Sequence, residues 1–147
     1  MDRILDWTPH QRIRGVKAVS FEEYSLKEAF GEAGQLPATL LLESLLQLGN
    51  WLILLSSDFQ QMGMVVKLGQ VCFHDALRLG QQVELEVQLR RGREDGFLLN
   101  GQGSVQGRTI VTGIDCVAVP RPAAEYVNPE DLRVLFSEIH RPGGDSP

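Results

Sequence analysis

Thr39, Glu43, Gln47 and Asn50 recur at helical spacing inside the otherwise apolar stretch PATLLLESLLQLGNWLILL, residues 37–55. At about 100° per residue they fall within roughly 80° of arc. A surface helix would carry a broad polar face, so this stripe predicts a buried helix that aims a carboxylate and an amide at one place. A buried carboxylate is costly unless it is paired or used. Glu43 is therefore the first candidate for chemistry, as a general acid or base or as a nucleophile. His10, His74 and His140 are the three histidines available as proton-transfer partners, and each reads first as a surface or structural residue. A Gly-rich phosphate loop, a HExxH pair and a GxSxG elbow are all missing, so no cofactor or metal is expected.

The rest of the chain must position that stripe. With 147 residues and a net charge of −5, one domain with a real core is expected, and sequence-independent nucleic-acid binding is not. Cys72 and Cys116 lack metal-ligand spacing and read as reduced core thiols. The first residues hold no long apolar run, and Glu43, Ser44, Gln47 and Asn50 interrupt the one long apolar stretch. A cytoplasmic protein with no membrane span is the expectation. Residues 13–20 read as a first strand. Pro37 suits a first helical position, and the long helix runs over about 37–55. Residues 64–68, 71–73 and 83–89 then read as strands, the last in strict alternation. Residues 90–96 read as a polar turn, and 97–105 pairs with 109–119 across Gln106-Gly107. After Val119 the composition changes to a linker. Asn128 can cap a helix begun by Pro129, whose Leu132, Leu135, Phe136 and Ile139 form a stripe that packs back on the domain or on a partner.

A strand, one apolar helix and a run of antiparallel strands make an α+β fold in which a curved sheet wraps the helix: the hotdog arrangement. Its edges and one uncovered helix face favour a homodimer or a higher homo-oligomer. The domain organisation expected is a hotdog unit over 1–122, then a linker and amphipathic helix over 123–147.

The segment AFGEAGQLPATLLLESLLQLG resembles the signature of the β-hydroxyacyl-acyl carrier protein dehydratases: His-Phe-Pro, then Met-Pro-Gly-Val-Leu, then Glu-(Ala/Ser)-Leu-Ala-Gln. Phe30 matches the Phe, Leu36-Pro37 the Met-Pro, Leu40 the Leu, Glu43 the catalytic acid and Gln47 the closing Gln. VCFHDALRLGQQVELEV resembles a later strand turn, with Phe73, Leu77 and Gly80 in register, and VQGRTIVTG resembles the last hairpin. The resemblance spans roughly Val16 to Val119. The chain departs from the signature at Ala29, which stands where the family has its catalytic His, at Gly31 for the following Pro, and at Ala38 for the Gly opening the helix. Its N-terminal strand looks shortened, with only Pro9-His10-Gln11-Arg12 similar to the family's Pro-His-Arg.

The resemblance implies binding of acyl thioesters carried by acyl carrier protein or CoA, with dehydratase activity weak or lost because Ala29 cannot move a proton. Glu43, Gln47 and His74 are the candidate catalytic residues, His74 because the family's equivalent strand borders the acyl tunnel between helix and sheet. Phe30, Pro37, Ala38, Thr39 and Phe73 are the candidate substrate-binding residues, with the free N–H groups at the helix start facing a thioester carbonyl. Two other readings stand beside this one: a thioesterase using Glu43, and a non-catalytic partner subunit that binds an acidic carrier through Arg90, Arg91 and Arg93.

Overall fold

The computed structural model describes residues 1–20 and 34–142. A hairpin of β1 (Arg3–Thr8) and β2 (Arg12–Ala18) precedes α1 (Ala38–Ser56). Then come β3 (Gln61–Lys67), β4 (Gln70–Phe73), β5 (Gln82–Arg93), β6 (Gly96–Val105) and β7 (Arg108–Pro122), followed by a 3-10 turn (Ala123–Glu125) and α2 (Pro129–Ile139). Among the described residues the seven strands form one antiparallel sheet in the order β1-β2-β5-β6-β7-β3, with β4 also pairing with β7. The apolar positions of β5 recur every second residue, so Val83, Leu85 and Val87 share the inner face. They pack there against Leu41, Leu45, Leu48 and Leu52 of α1. This is the expected hotdog arrangement.

Four local expectations need correction. The first strand is β1, which comes before the stretch expected, and Pro9–Gln11 is the turn after it, with His10 in the left-handed region at φ 57°. Only Ile4 of β1 is fully buried, so the strand shows no alternation to read. β5 runs on through Arg93 past a bulge at Leu89/Arg91, because its tip projects beyond the core and polar side chains suit both faces there. Pro37 caps α1 with φ −51° and ψ 134°, one position before the first helical residue. Leu135 of α2 points outward, whereas Leu132, Phe136 and Ile139 face the core. The Gln106-Gly107 turn forms as expected, with φ values of 50° and 78° suited to a tight hairpin.

A fifth correction concerns the polar stripe. The sheet covers one side of α1, and in the single chain Glu43 and Gln47 lie on the other side, exposed, next to Leu40 at 45% exposure. Their helix is long and apolar enough to cross a membrane by length and composition, yet half of that window is buried inside the protein.

α2 closes the far end of α1. The Asn128 side chain accepts the Glu130 N–H at 3.0 Å, with Pro129 at the first helical position. Phe136 meets Trp51 at 6.0 Å, Phe59 at 6.3 Å and Trp7 at 6.4 Å between ring centres, and His140 stacks on it at 4.7 Å. The Arg133 guanidinium sits 4.6 Å from the Phe59 ring centre and donates to Asp58 at 2.9 Å. Beyond the helix, the Arg141 N–H donates to the Ile4 carbonyl at 3.0 Å, so the tail lies along the outer edge of β1. Half-buried Phe136 is the hub of these contacts. Phe136→Ala should cost about 2 kcal/mol, read as a lower thermal midpoint with the far-UV circular dichroism of the native protein unchanged.

Candidate functional site

The segment leading into α1 is pegged to the chain that follows β4. The Leu36 N–H donates to the Leu77 carbonyl at 2.7 Å, and the Leu79 N–H donates to Gly34 at 2.9 Å. Leu36 and Leu77 are both buried, so their side chains hold what the hydrogen bonds align. β4 is extended past Phe73 by the His74 N–H, which donates to Ile110 at 2.7 Å. Between the two segments lies a cavity of about 490 Å³. Pro37, Ala38 and Thr39 line one side of it, and Phe73, His74 and Asp75 the other. Five of the residues expected from sequence thus share one cavity: Pro37, Ala38, Thr39, Phe73 and His74.

The first turn of α1 is electrostatically open. The Pro37 carbonyl accepts the Leu40 N–H at 2.9 Å, and Pro37, at the cap position, offers no side-chain acceptor to the turn. No acidic residue stands in it either. Uncapped N–H groups at a helix start favour a partial or full negative charge.

Glu43 and Gln47 stand apart from this cavity. Glu43 lies one turn beyond Thr39, about 6 Å along the axis, and its Oε1 accepts from Gln47 Nε2 at 3.2 Å. Asn50 is structural, since its Oδ1 accepts the Gly63 N–H at 2.8 Å and ties β3 to the helix. The stripe that is continuous in sequence therefore divides into Thr39 at the cavity, an exposed Glu43–Gln47 pair, and Asn50 between helix and sheet.

The histidines sort by position. His74 lines the cavity, with Nε2 3.3 Å from Thr112 Oγ1. The backbone N–H of His10 donates to Ser56 Oγ at 2.9 Å at the last residue of α1, about 20 Å along the helix from Glu43. His140 stacks on Phe136 at that same remote end. Phe30, Ala29 and Gly31 lie outside the described residues. No cluster of His, Cys, Asp and Glu among the described residues could hold a metal ion. Cys72 and Cys116 are free thiols, and burial pushes the Cys116 thiol up.

Sequence reasoning missed Asp75. Its carboxylate accepts the Ala76 N–H at 2.8 Å and Arg78 at 3.2 Å, and it pairs with Arg108. The Ala76 hydrogen bond, then Arg78, hold the carboxyl below the ordinary aspartate range. The Asp-x-x-Arg spacing in HDALR signals the Arg78 pair, but the Arg108 contact crosses the sheet and leaves no trace in local spacing. Among the described residues of the single chain, the gap between helix and sheet measures about 20 Å³, too small for the apolar tunnel expected there.

Asp75 gives a pH prediction. Its folded-state value is depressed, so its contribution to stability is present at neutral pH and is lost as pH falls below about 4 and through that folded value. Asp58, held down by Arg133, adds to the same acid limb. Thermal midpoints measured from pH 7 to pH 3 should drop in the wild type and drop less in Asp75→Asn.

A domain model described as FabA-like matches residues 1–114. A 3-hydroxyacyl-[acyl-carrier-protein] dehydratase FabZ of Oleidesulfovibrio alaskensis is 29% identical over 135 residues, covering 90% of this chain and 83% of the relative. The FabZ dehydratase of Sorangium cellulosum is 28% identical over 77% of this chain and 75% of its own. Among solved structures, a Streptococcus mutans protein bound to acetyl CoA superposes with a TM-score of 0.67 at 6% identity, covering 83% of this chain and 90% of that one. A hypothetical thioesterase protein with coenzyme A from Streptococcus pneumoniae gives a TM-score of 0.63 at 12% identity, covering 80% of this chain and 84% of that one. At such identities the likeness is one of fold.

Proposed function

The chain belongs to the FabA-like family, and on that premise we propose that it binds acyl thioesters and has weak or no dehydratase activity. One observation carries the reading: the start of α1, which Pro37 leaves without a side-chain cap of its own, meets Phe73 and His74 in one cavity, a helical turn from Glu43. In this reading the N–H groups of Ala38 and Thr39 polarise the thioester carbonyl, while Pro37, Phe73 and Phe30 wall the acyl group. Glu43 protonates the departing hydroxyl, oriented by its hydrogen bond to Gln47. The base for the α-proton is the missing part, because Ala29 stands in the register of the family's His. Loss of such a base typically costs about 10²–10⁴-fold in rate. His74 is the substitute that the cavity offers.

A second copy of the chain completes the site in this proposal. Leu40, Glu43 and Gln47 are exposed along α1, and Met64 and Val65 are exposed on edge strand β3. An exposed apolar helix face next to a free sheet edge suits an isologous partner. A second reading, a non-catalytic subunit for an acidic carrier protein, draws on Arg90, Arg91 and Arg93. With His10 they line a surface cavity of about 610 Å³ at the tip of β5.

The experiment is incubation of the full chain with trans-2-enoyl and 3-hydroxyacyl thioesters of pantetheine and of acyl carrier protein. Binding with little turnover is expected, and Ala29→His should raise hydration by about 100-fold or more. That gain should vanish when Glu43→Gln is added. Robust hydration by the wild type that is lost in His74→Ala would transfer the base role to His74. Thioester hydrolysis lost in Glu43→Ala would make the protein a thioesterase. Binding to the carrier protein that is lost on reversing Arg90, Arg91 and Arg93, with no turnover, would favour the partner-subunit reading.

A further inference from the structure

α2 has a second face that its own domain leaves bare. Leu132, Phe136 and Ile139 pack inward. Asp131, Val134, Leu135 and Glu138 are all exposed and recur at i, i+3, i+4 and i+7, so they form one stripe turned to solvent. Val134 is 59% and Leu135 43% exposed, two apolar side chains side by side in water. The ion pairs made by α2 are those of Arg133 with Asp58 and with Glu130, which leaves Asp131 and Glu138 without a described cation.

The tip of the β5–β6 hairpin has the complementary chemistry. It borders a cavity of about 610 Å³ with Leu89 and Phe97 as apolar wall and Arg90, Arg91 and Arg93 around them. Arg12, Arg14, Arg78, Arg108 and Arg133 each pair with a carboxylate. Among the described residues the three tip arginines do not, although the chain carries a net charge of −5. Groove and stripe belong to the same end of the molecule. His10, which lines the groove, donates its N–H to Ser56 at the last residue of α1, and Phe136 of α2 packs against Trp51 and Phe59 there.

We propose that this groove receives α2 of a second copy of the chain, with Val134 and Leu135 against Leu89 and Phe97 and with Asp131 and Glu138 among the arginines. An amphipathic helix laid in an apolar groove with oppositely charged rims is a common mode of recognition. A second copy is favoured over another acidic helix because one association forms the contact twice: each copy's stripe enters the other's groove about a two-fold axis. The α2 of the same chain cannot fill the groove, since its Phe136 face holds it to its own domain with the stripe turned outward. The contact lies at the far end of the 19-residue α1 from the ligand cavity, about 28 Å away. It therefore stands or falls independently of the acyl-thioester reading and of any pairing along α1.

The test is sedimentation velocity of the full chain over a concentration series, with far-UV circular dichroism to report folding. Wild type should sediment with at least twice the mass of Arg91→Glu/Arg93→Glu and of Asp131→Arg/Glu138→Arg, each reversal raising the dissociation constant by at least about tenfold. The variant carrying all four changes should regain the wild-type mass. A mixture of the two reversed variants should form a mixed pair, since each then offers the charge the other lacks. Leu135→Ser should dissociate the contact as well, and it serves in place of a reversed variant that does not fold. Equal masses for wild type and every folded variant would overturn the proposal. So would dissociation on reversing the tip alone while folded α2 variants keep the wild-type mass. Acyl carrier protein that binds a wild type of unchanged mass, and is lost on reversing the tip, would give the groove to the carrier and overturn the contact between copies.

Discussion

Close seating of α1 on its own sheet is the contact on which the rest of the molecule depends. An apolar helix of 19 residues cannot stand in water, and a sheet buried on one face needs something to bury against. Gly63 and Gly101 let the two approach until helix side chains fill the place of sheet side chains. The rows Leu41–Leu45–Leu48–Leu52 and Val83–Leu85–Val87 then form one core. The rotation of α1 about its axis follows from that contact. It fixes which residues start the helix beside β4 and which are left outside. An alanine at either glycine would first displace the tip of Ile53 or of Leu45.

The site is assembled at an end of this contact, away from its middle. The first turn of a helix is where N–H groups lack partners, and the buried Leu36–Leu77 clasp brings that turn against the residues following β4. Polar groups are therefore placed where the core stops, and the core can remain dry and close-packed. Asp75, bound by its neighbour's N–H and by two arginines, fixes the far wall of the cavity. At the opposite end of α1 the helix side chains are covered. It is sealed by Phe136 and its aromatic neighbours, and Arg133 covers Phe59, a residue held at φ 62°. The two ends of one helix thus differ, one bordering a cavity and one closed by the tail.

Periodicity makes the central helix, the β5 alternation, the Gln106-Gly107 hairpin and the capped α2 legible in the sequence, because each is a local pattern read against one face of the core. β1 is not legible, because an edge strand covered by a distant tail needs no alternation. The helix residues of the cavity wall can be read from a motif register, and so can His74. Asp75 and Arg108 cannot, since their meeting depends on how β4 lies against β7. The exposure of Glu43 escapes the sequence for a related reason: hydropathy reports that a helix face avoids water but not which surface covers it. An apolar face flanked by a free edge looks the same in sequence as one inside a single chain.

The tail that lies along β1 has a consequence for how sheets of this protein can grow. Hydrogen bonds to Ile4 occupy one outer edge of the sheet, and no described strand pairs with the outer side of β3. Among the described residues, strand addition is hindered at Ile4, whereas the outer side of β3 stays open. When two identical sheets join through their single open edges, neither has an edge left to offer. In such a pair the tail of each copy would cover the remaining edge at Ile4.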